Sequence, residues 1–169
     1  GCFVFTSNVD GQFQKAGFDE YRIIECHGSI HHLQCASNCT KHVWPAERLQ
    51  PEIDEVNCLL TSPLPCCMFC LEIARPNILI FNDFDWLPDR KYEQQMKYRE
   101  WRSRATNPVV IELGAGTAIP SVRIFGQDQG APMIRINPRE ADFSNAISGQ
   151  VPLPMGALEA LNAIDELIH

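Results

Sequence analysis

Four cysteines in two close pairs constrain this chain more than any other feature. Cys35-Ala36-Ser37-Asn38-Cys39 and Cys67-Met68-Phe69-Cys70 bracket a stretch with little regular pattern and four prolines, Pro45, Pro51, Pro63 and Pro65. A short loop within each pair brings two sulfurs together, and four thiolates close a tetrahedral shell around one Zn²⁺. The metal then replaces the apolar core that so small a module lacks. The spacing predicts a structural Zn²⁺ on Cys35, Cys39, Cys67 and Cys70. A shell filled by protein sulfur leaves no open position for zinc chemistry.

The rest of the composition narrows the class. The chain has 169 residues, 45% hydrophobic and 21% charged, which are globular values. The net charge is −7 with no long basic cluster, so nucleic acid is a poor partner for it. No run reads as a membrane span or signal peptide. Of eight cysteines, four are clustered at metal-binding spacing, which points to a reducing cytoplasm rather than to disulfides. Cys2 and Cys26 sit in strand-like runs and are expected to be buried. Cys58 and Cys66 are spare thiols, and Cys66 competes with Cys67 as a ligand, although the CxxC spacing favours Cys67.

Apolar runs of strand length occur at 2–6, 22–26, 77–81, 108–113 and 133–137. The first opens with no capping turn before it, as a piece of a larger protein would. Residues 89–104 have the length and composition of a charged helix capped by Asp89. Leu158, Leu161, Ile164 and Ile168 stripe one face of a closing helix. Strands alternating with helices predict an α/β fold with a parallel sheet covered on both faces. Residues 30–75 form the irregular cysteine-bearing module.

Three polar clusters stand at strand ends. His27 follows the second strand and precedes Gly28, where α/β folds place ligands; a histidine titrates near neutral pH and takes a proton from a hydroxyl. His31, His32 and His42 lie in or near the cysteine module and read as surface or supporting groups. Asn8 and Asp10, in Thr6-Ser7-Asn8-Val9-Asp10-Gly11, either form a simple turn or point into a cleft. Gly114-Ala115-Gly116-Thr117 is either a tight strand-to-helix turn or one whose N–H groups approach a phosphate or ribose.

Together these residues resemble the sirtuins, the Sir2-type NAD-dependent protein deacylases. Thr6–Gly11 resembles the family's T-Q-N-I-D-G, and Glu25-Cys26-His27-Gly28-Ser29 its E-L-H-G-S, whose histidine is the catalytic base. The cysteine pairs match its zinc site. Arg75-Pro76-Asn77 and Phe81-Asn82-Asp83 resemble R-P-D and F-G-E. Gly116-Thr117-Ala118 resembles G-T-S, and Ile136-Asn137 the I-N that closes the NAD pocket. Ser7 stands in place of glutamine, Asn82 of glycine and Ala118 of serine, as in a divergent, bacterial-type branch. The family's opening G-A-G-x-S strand-loop is absent, so the likeness is to the C-terminal two-thirds of a sirtuin.

The resemblance implies a partial Rossmann-like parallel sheet, residues 1–29 and 76–169, and a small zinc-ribbon-like module, residues 30–75. It implies an NAD-dependent protein-lysine deacylase that releases nicotinamide and O-acyl-ADP-ribose, or a sirtuin-type ADP-ribosyltransferase. The alternatives are a catalytically incompetent zinc-bearing binding module and, more remotely, a nucleic-acid-binding zinc ribbon. His27 would be the base, with Asn8 and Asp10 beside it at the nicotinamide ribose. Ser7, Asn8, Asp10, Gly116, Thr117, Ala118 and Asn137 would hold NAD. Phe81, Asn82 and Asp83 would bind an acylated-lysine protein as an added strand.

Overall fold

A computed structural model describes residues 1–144 and 148–168. The chain divides into two compact units, one over residues 1–102 and one from Ser103 onward.

The first unit begins with β1 (Val4–Thr6), a short helix α1 (Gln12–Lys15), one turn of 3₁₀ helix at Glu20–Arg22, and β2 (Ile23–Glu25). Asp19 caps the 3₁₀ turn by accepting the Tyr21 N–H at 3.0 Å. β1 and β2 pair in parallel, from Val4 opposite Ile23 to Thr6 opposite Glu25. Ile23 and Ile24 are fully buried, a setting that suits β-branched strand residues. Cys26 is buried as expected, but Cys2 is exposed because the strand starts only at Val4.

The chain continues through β3 (Gly28–Cys35), β4 (Trp44–Pro45), the hairpin β5 (Ile53–Asp54) and β6 (Leu59–Leu60), and β7 (Ala74–Ile78). β4, β3 and β7 form an antiparallel sheet in that order. The third strand expected, at 77–81, therefore lies earlier, at Ala74–Ile78, and runs antiparallel to β3. Its register with β3 breaks between Ser29 and Leu33, where β3 carries a bulge of three extra residues. Leu33, Cys35, Trp44, Cys67 and Ala74 make the small core, with Ala46 and Leu49 against it. Two of the four paired cysteines are thus core residues. The long helix α2 (Asp89–Arg104) keeps the expected bounds, with Asp89 in its favourable first turn. Phe3 packs on it, with ring centroids 5.1 Å from Tyr98 and 5.5 Å from Trp101.

The second unit is a three-stranded parallel sheet. β8 (Val110–Leu113), helix α3 (Ser121–Gln127) and β9 (Met133–Ile136) follow one another, then β10 (Gln150–Leu153) and helix α4 (Ala157–Ile168). The sheet order is β10-β9-β8. Gly126 lets α3 lie close on the sheet: a Cβ there would stand 3.1 Å from Met133 and 3.5 Å from Val110. Between the strands Arg135 donates to Glu112 at 2.6 and 3.2 Å, a bidentate pair in which both side chains are fully buried. Phe143 covers the guanidinium at 4.2 Å. α4 buries Ala160, while Leu158, Leu161 and Ile168 of the expected apolar stripe stay exposed.

Candidate functional site

Cys35 ends β3, and Cys67 and Cys70 lie on the turn that precedes β7. That turn is closed by Leu71 N–H to the Cys67 carbonyl at 3.0 Å and Cys67 N–H to the Glu72 carbonyl at 2.7 Å. Asn38, in the left-handed region at φ 51°, turns the chain from Cys35 to Cys39. The four sulfurs of Cys35, Cys39, Cys67 and Cys70 all lie within 4.8 Å of one another. Cys35 to Cys70 and Cys39 to Cys67 are each 3.6 Å. A tetrahedral zinc with Zn–S bonds of about 2.3 Å needs sulfurs about 3.8 Å apart. Cys35 and Cys67 are buried and Cys39 and Cys70 exposed, so the cluster sits at the rim of the small core. The backbone N–H of Cys39 stabilises the Cys35 thiolate and lowers that thiol to about 7. This donor set fits one structural Zn²⁺, and Cys66, turned to the Leu64 carbonyl, is outside it.

Parallel pairing fixes the position of His27. Beyond Thr6 and Glu25 the two strands leave the sheet at the same carboxyl edge, tied by Cys26 N–H to the Thr6 carbonyl at 2.9 Å. His27 follows at once, half-buried, its carbonyl accepting Leu79 N–H at 2.9 Å. Gly28 stands at φ 84°, and a Cβ there would run into the Asn77 carbonyl. Only glycine lets β3 start this close to β7. Burial first, then the Lys91 charge, hold the His27 imidazole below its ordinary pKa. It is therefore neutral, and able to accept a proton, at neutral pH.

The loop after β1 is fastened to the same place. Asn8 N–H donates to Thr6 Oγ1 at 3.0 Å, and Ile30 N–H to the Val9 carbonyl at 2.9 Å. His31 Nε2 donates to the Asp10 carbonyl at 3.1 Å, and Asp10 Oδ1 accepts Gln12 N–H at 3.2 Å. Asn8 is exposed, and Ser7 and Asp10 are half-buried. Asn8, Asp10 and His27 thus gather on one edge of one parallel strand pair. Behind them Arg90 donates to Glu25 at 2.7 Å, and the Glu25 N–H donates to Gln94 at 3.1 Å. Arg90 and Gln94 are one helical turn apart on α2, a spacing that was visible in the sequence, although nothing there pointed to Glu25.

The segment after β7 carries Phe81, Asn82 and Asp83. Phe81 is 82% exposed. Asn82 sits at φ 58°, a left-handed conformation that asparagine tolerates and glycine favours. Asp83 is taken up by Arg75, with both of its oxygens 2.9 Å from the guanidinium. Its carboxylate therefore shapes the loop. The loop is anchored further by a buried amide network. Asn77 Nδ2 donates to Gln34 Oε1 at 2.8 Å and to the Leu87 carbonyl at 3.0 Å, and Gln34 Nε2 to the Asp85 carbonyl at 2.8 Å.

In the second unit, β8 leads into Gly114, at φ 64°, and the exposed residues Gly116, Thr117 and Ala118. Asn137, just after β9, is buried, and both the nitrogen and the oxygen of its amide are hydrogen-bonded. Nδ2 donates to the Ala115 carbonyl at 3.1 Å, and Oδ1 accepts Arg139 N–H at 2.9 Å and Glu140 N–H at 3.0 Å. Arg123 donates to the Ala115 carbonyl at 3.0 and 2.8 Å. Glu140, which the sequence did not single out, accepts Thr117 N–H at 2.9 Å and Thr117 Oγ1–H at 3.0 Å. A Cβ at Gly114 would meet nothing within 4 Å, and at Gly116 only Glu140 at 3.5 Å. The turn is open and lined by backbone and carboxylate, a set that fits the hydroxyls of a nucleoside.

No described helix is long and apolar enough to cross a membrane. The Sir2 family model matches residues 2–115. A probable bifunctional ADP-ribose hydrolase/ADP-ribosyltransferase of Fusarium oxysporum is 31% identical over 133 residues, 72% of this chain and 22% of that protein. NAD-dependent protein deacylase 2 of Corynebacterium efficiens is 28% identical over 152 residues, 83% of this chain and 51% of that protein. A sirtuin solved to explain substrate affinity superposes with a TM-score of 0.64 at 24% identity, covering 98% of this chain and 61% of that one. The chain thus spans about half the length, or less, of these curated relatives. On the family match and the shared fold, this chain belongs to the Sir2 family.

Proposed function

We propose that this chain carries the general base and part of the cofactor site of an NAD-dependent protein-lysine deacylase. The observation that carries the reading is the gathering of His27, Asn8 and Asp10 on one carboxyl edge, with His27 held neutral by burial. NAD⁺, when bound, supplies an electrophilic ribose carbon and nicotinamide as its leaving group. His27 would be the group that accepts a proton from a ribose hydroxyl of the bound cofactor. Asn8 and Asp10, with Ser7, orient the nicotinamide ribose. Gly116, Thr117, Ala118 and Asn137 serve the adenosine half, Asn137 by shaping the turn. The acylated-lysine segment adds beside Phe81 and Asn82, with Asp83 holding the loop through Arg75. Residues 1–29 and 76–169 form the NAD-binding domain and 30–75 the zinc module, which stiffens β3 and stays outside the reaction. The cytoplasm, which keeps eight thiols reduced, suits the protein, and it needs no nucleic acid.

Mass spectrometry of the products tests the reading. The full protein incubated with NAD⁺ and an acetyl-lysine peptide should yield free lysine peptide, nicotinamide and O-acetyl-ADP-ribose. The name of the Fusarium relative favours a second reading, transfer of ADP-ribose to a protein. That reading predicts a protein carrying one added ADP-ribose and an acetyl peptide left intact. Neither product, with no NAD⁺ binding, would leave a non-enzymatic zinc module.

A further inference from the structure

We infer that Arg90 and Gln94 of α2 are positioning residues for His27: they grip the side chain and the backbone of Glu25 and so fix the strand end that the imidazole follows. This rests on the reading of His27 as the base and adds the residues that hold it in place. Among the described residues β1 and β2 form a two-stranded sheet. Cys26 N–H points to the Thr6 carbonyl at 2.9 Å, so the N–H of Glu25, one residue earlier, faces the other edge of β2. Gln94 Oε1 accepts it there at 3.1 Å. A side-chain amide from a helix thus takes the place of a neighbouring strand.

Gln94 is the one residue that α2 buries, at a position an apolar side chain ordinarily fills. Without its oxygen the Glu25 N–H would be buried and unpaired. The Glu25 carboxylate is buried too, its side chain 1% exposed, and Arg90 donates to it at 2.7 Å. Arg90 and Gln94 stand one turn apart, so both reach Glu25 from one face of the helix. His27 lies two residues beyond this grip, and its own carbonyl is held by Leu79 N–H at 2.9 Å. The turn that bears it is therefore fixed on both sides. Burial foremost and then the charge of Lys91, the neighbour of Arg90, act on the His27 imidazole, so this turn of α2 lies near it. Further along, α2 is docked through Tyr98 and Trp101 against Phe3, at the opposite, amino end of the strand pair.

Kinetics with NAD⁺ and an acetyl-lysine peptide, and NMR of the imidazole rings, test this on the full protein. Gln94→Met keeps the volume and loses the acceptor. It should lower kcat about 10- to 100-fold, the effect of a base displaced by about 1 Å, with KM for both substrates within about 3-fold. The His27 ring signal, identified by its loss in His27→Ala, should shift and titrate closer to its ordinary range as the loosened turn takes up water. Gln94→Glu, which restores an acceptor with Arg90 one turn away to balance the charge, should recover most of the loss. Trp101→Leu, which loosens the same helix at Phe3, should lower stability and leave kcat within about 2-fold. Should Gln94→Met fail to fold, Arg90→Lys is read in its place and should show the same split. An unmoved His27 signal and kcat in the folded variant would overturn the inference, as would an equal loss of kcat in Trp101→Leu. A His27 signal that moves, in a protein whose deacylation does not need His27, would uphold the positioning and sink the base reading alone.

Discussion

The imidazole of His31 donates its Nε2–H to the Asp10 carbonyl at 3.1 Å and lies over Gly11, where a Cβ would come within 2.7 Å of the ring. The β3 bulge swings His31 into this position. One strand therefore carries the His27 turn at its start, the clamp on the Asn8–Asp10 loop in its middle, and Cys35 of the four-cysteine cluster at its end. Nε2 is a donor in the neutral tautomer that this bond selects and also in the imidazolium, so the clamp survives protonation.

Replacing His31 with leucine removes the donor and frees the loop. We expect NAD⁺ affinity to fall about 5- to 10-fold, the worth of one net hydrogen bond, with turnover at saturating NAD⁺ little changed. His31→Gln, which restores an N–H donor, should recover part of the loss. Titration calorimetry and a KM-against-kcat comparison check both.

Gly28 has the strictest steric demand in the first unit. Gly28→Ala must push β3 away from the Asn77 carbonyl and also adopt φ near 84° with a side chain. We expect a loss of about 3 kcal/mol or more, read as a lower midpoint in urea, or failure to fold.

The sulfur cluster should hold one zinc per chain. Chelation, or Cys35→Ser or Cys67→Ser in the core, should lower the melting temperature sharply, because metal binding here is folding free energy. Metal analysis and thermal denaturation with and without chelator read the effect.

His32 sets a pH dependence. Burial foremost, with the positive charge of Arg90 and a smaller opposing pull from Glu25, lowers it to about 4, and His31 adds to the lowering. The unfolded chain takes up that proton near pH 6.5 while the folded chain resists it to about 4. Stability from this group is complete above 6.5 and is lost as pH falls through the window between. With His32 only partly buried, we expect a loss of about 1–2 kcal/mol. Denaturant midpoints from pH 7 to 4 should show a shallower slope in His32→Asn.

The Arg135–Glu112 pair is fully desolvated. Either Arg135→Met or Glu112→Gln alone should cost about 3–5 kcal/mol, because each leaves its partner buried and unpaired. The double variant should cost less than the sum, a coupling that a double-mutant cycle measures.

The features legible in the sequence are those set by local chemistry. β1, β2, β8 and β9 follow from runs of β-branched and apolar residues, and α2 from sixteen residues without a breaker. The cysteine spacing marked the sulfur cluster. β3 was hidden because its bulge at Ile30–His32 destroys the two-residue alternation. β7, with Arg75, Pro76 and Asn77, owes its strand to the Gln34–Asn77–Leu87 network, which joins residues far apart in the chain. β10 contains Pro152, which argues against a strand anywhere but at a sheet edge. At the site, His27, Asn8 and Asp10 stood out because they follow strands. Glu140 did not, since its partner Thr117 lies 23 residues earlier.

The central claim is that the neutral imidazole at this strand edge is the base. Deacylation of an acetyl-lysine peptide by the full protein should fall about 10²- to 10⁴-fold in His27→Ala, while NAD⁺ affinity stays within about 3-fold. Turnover undiminished by the substitution, in a variant that still binds NAD⁺, would contradict it.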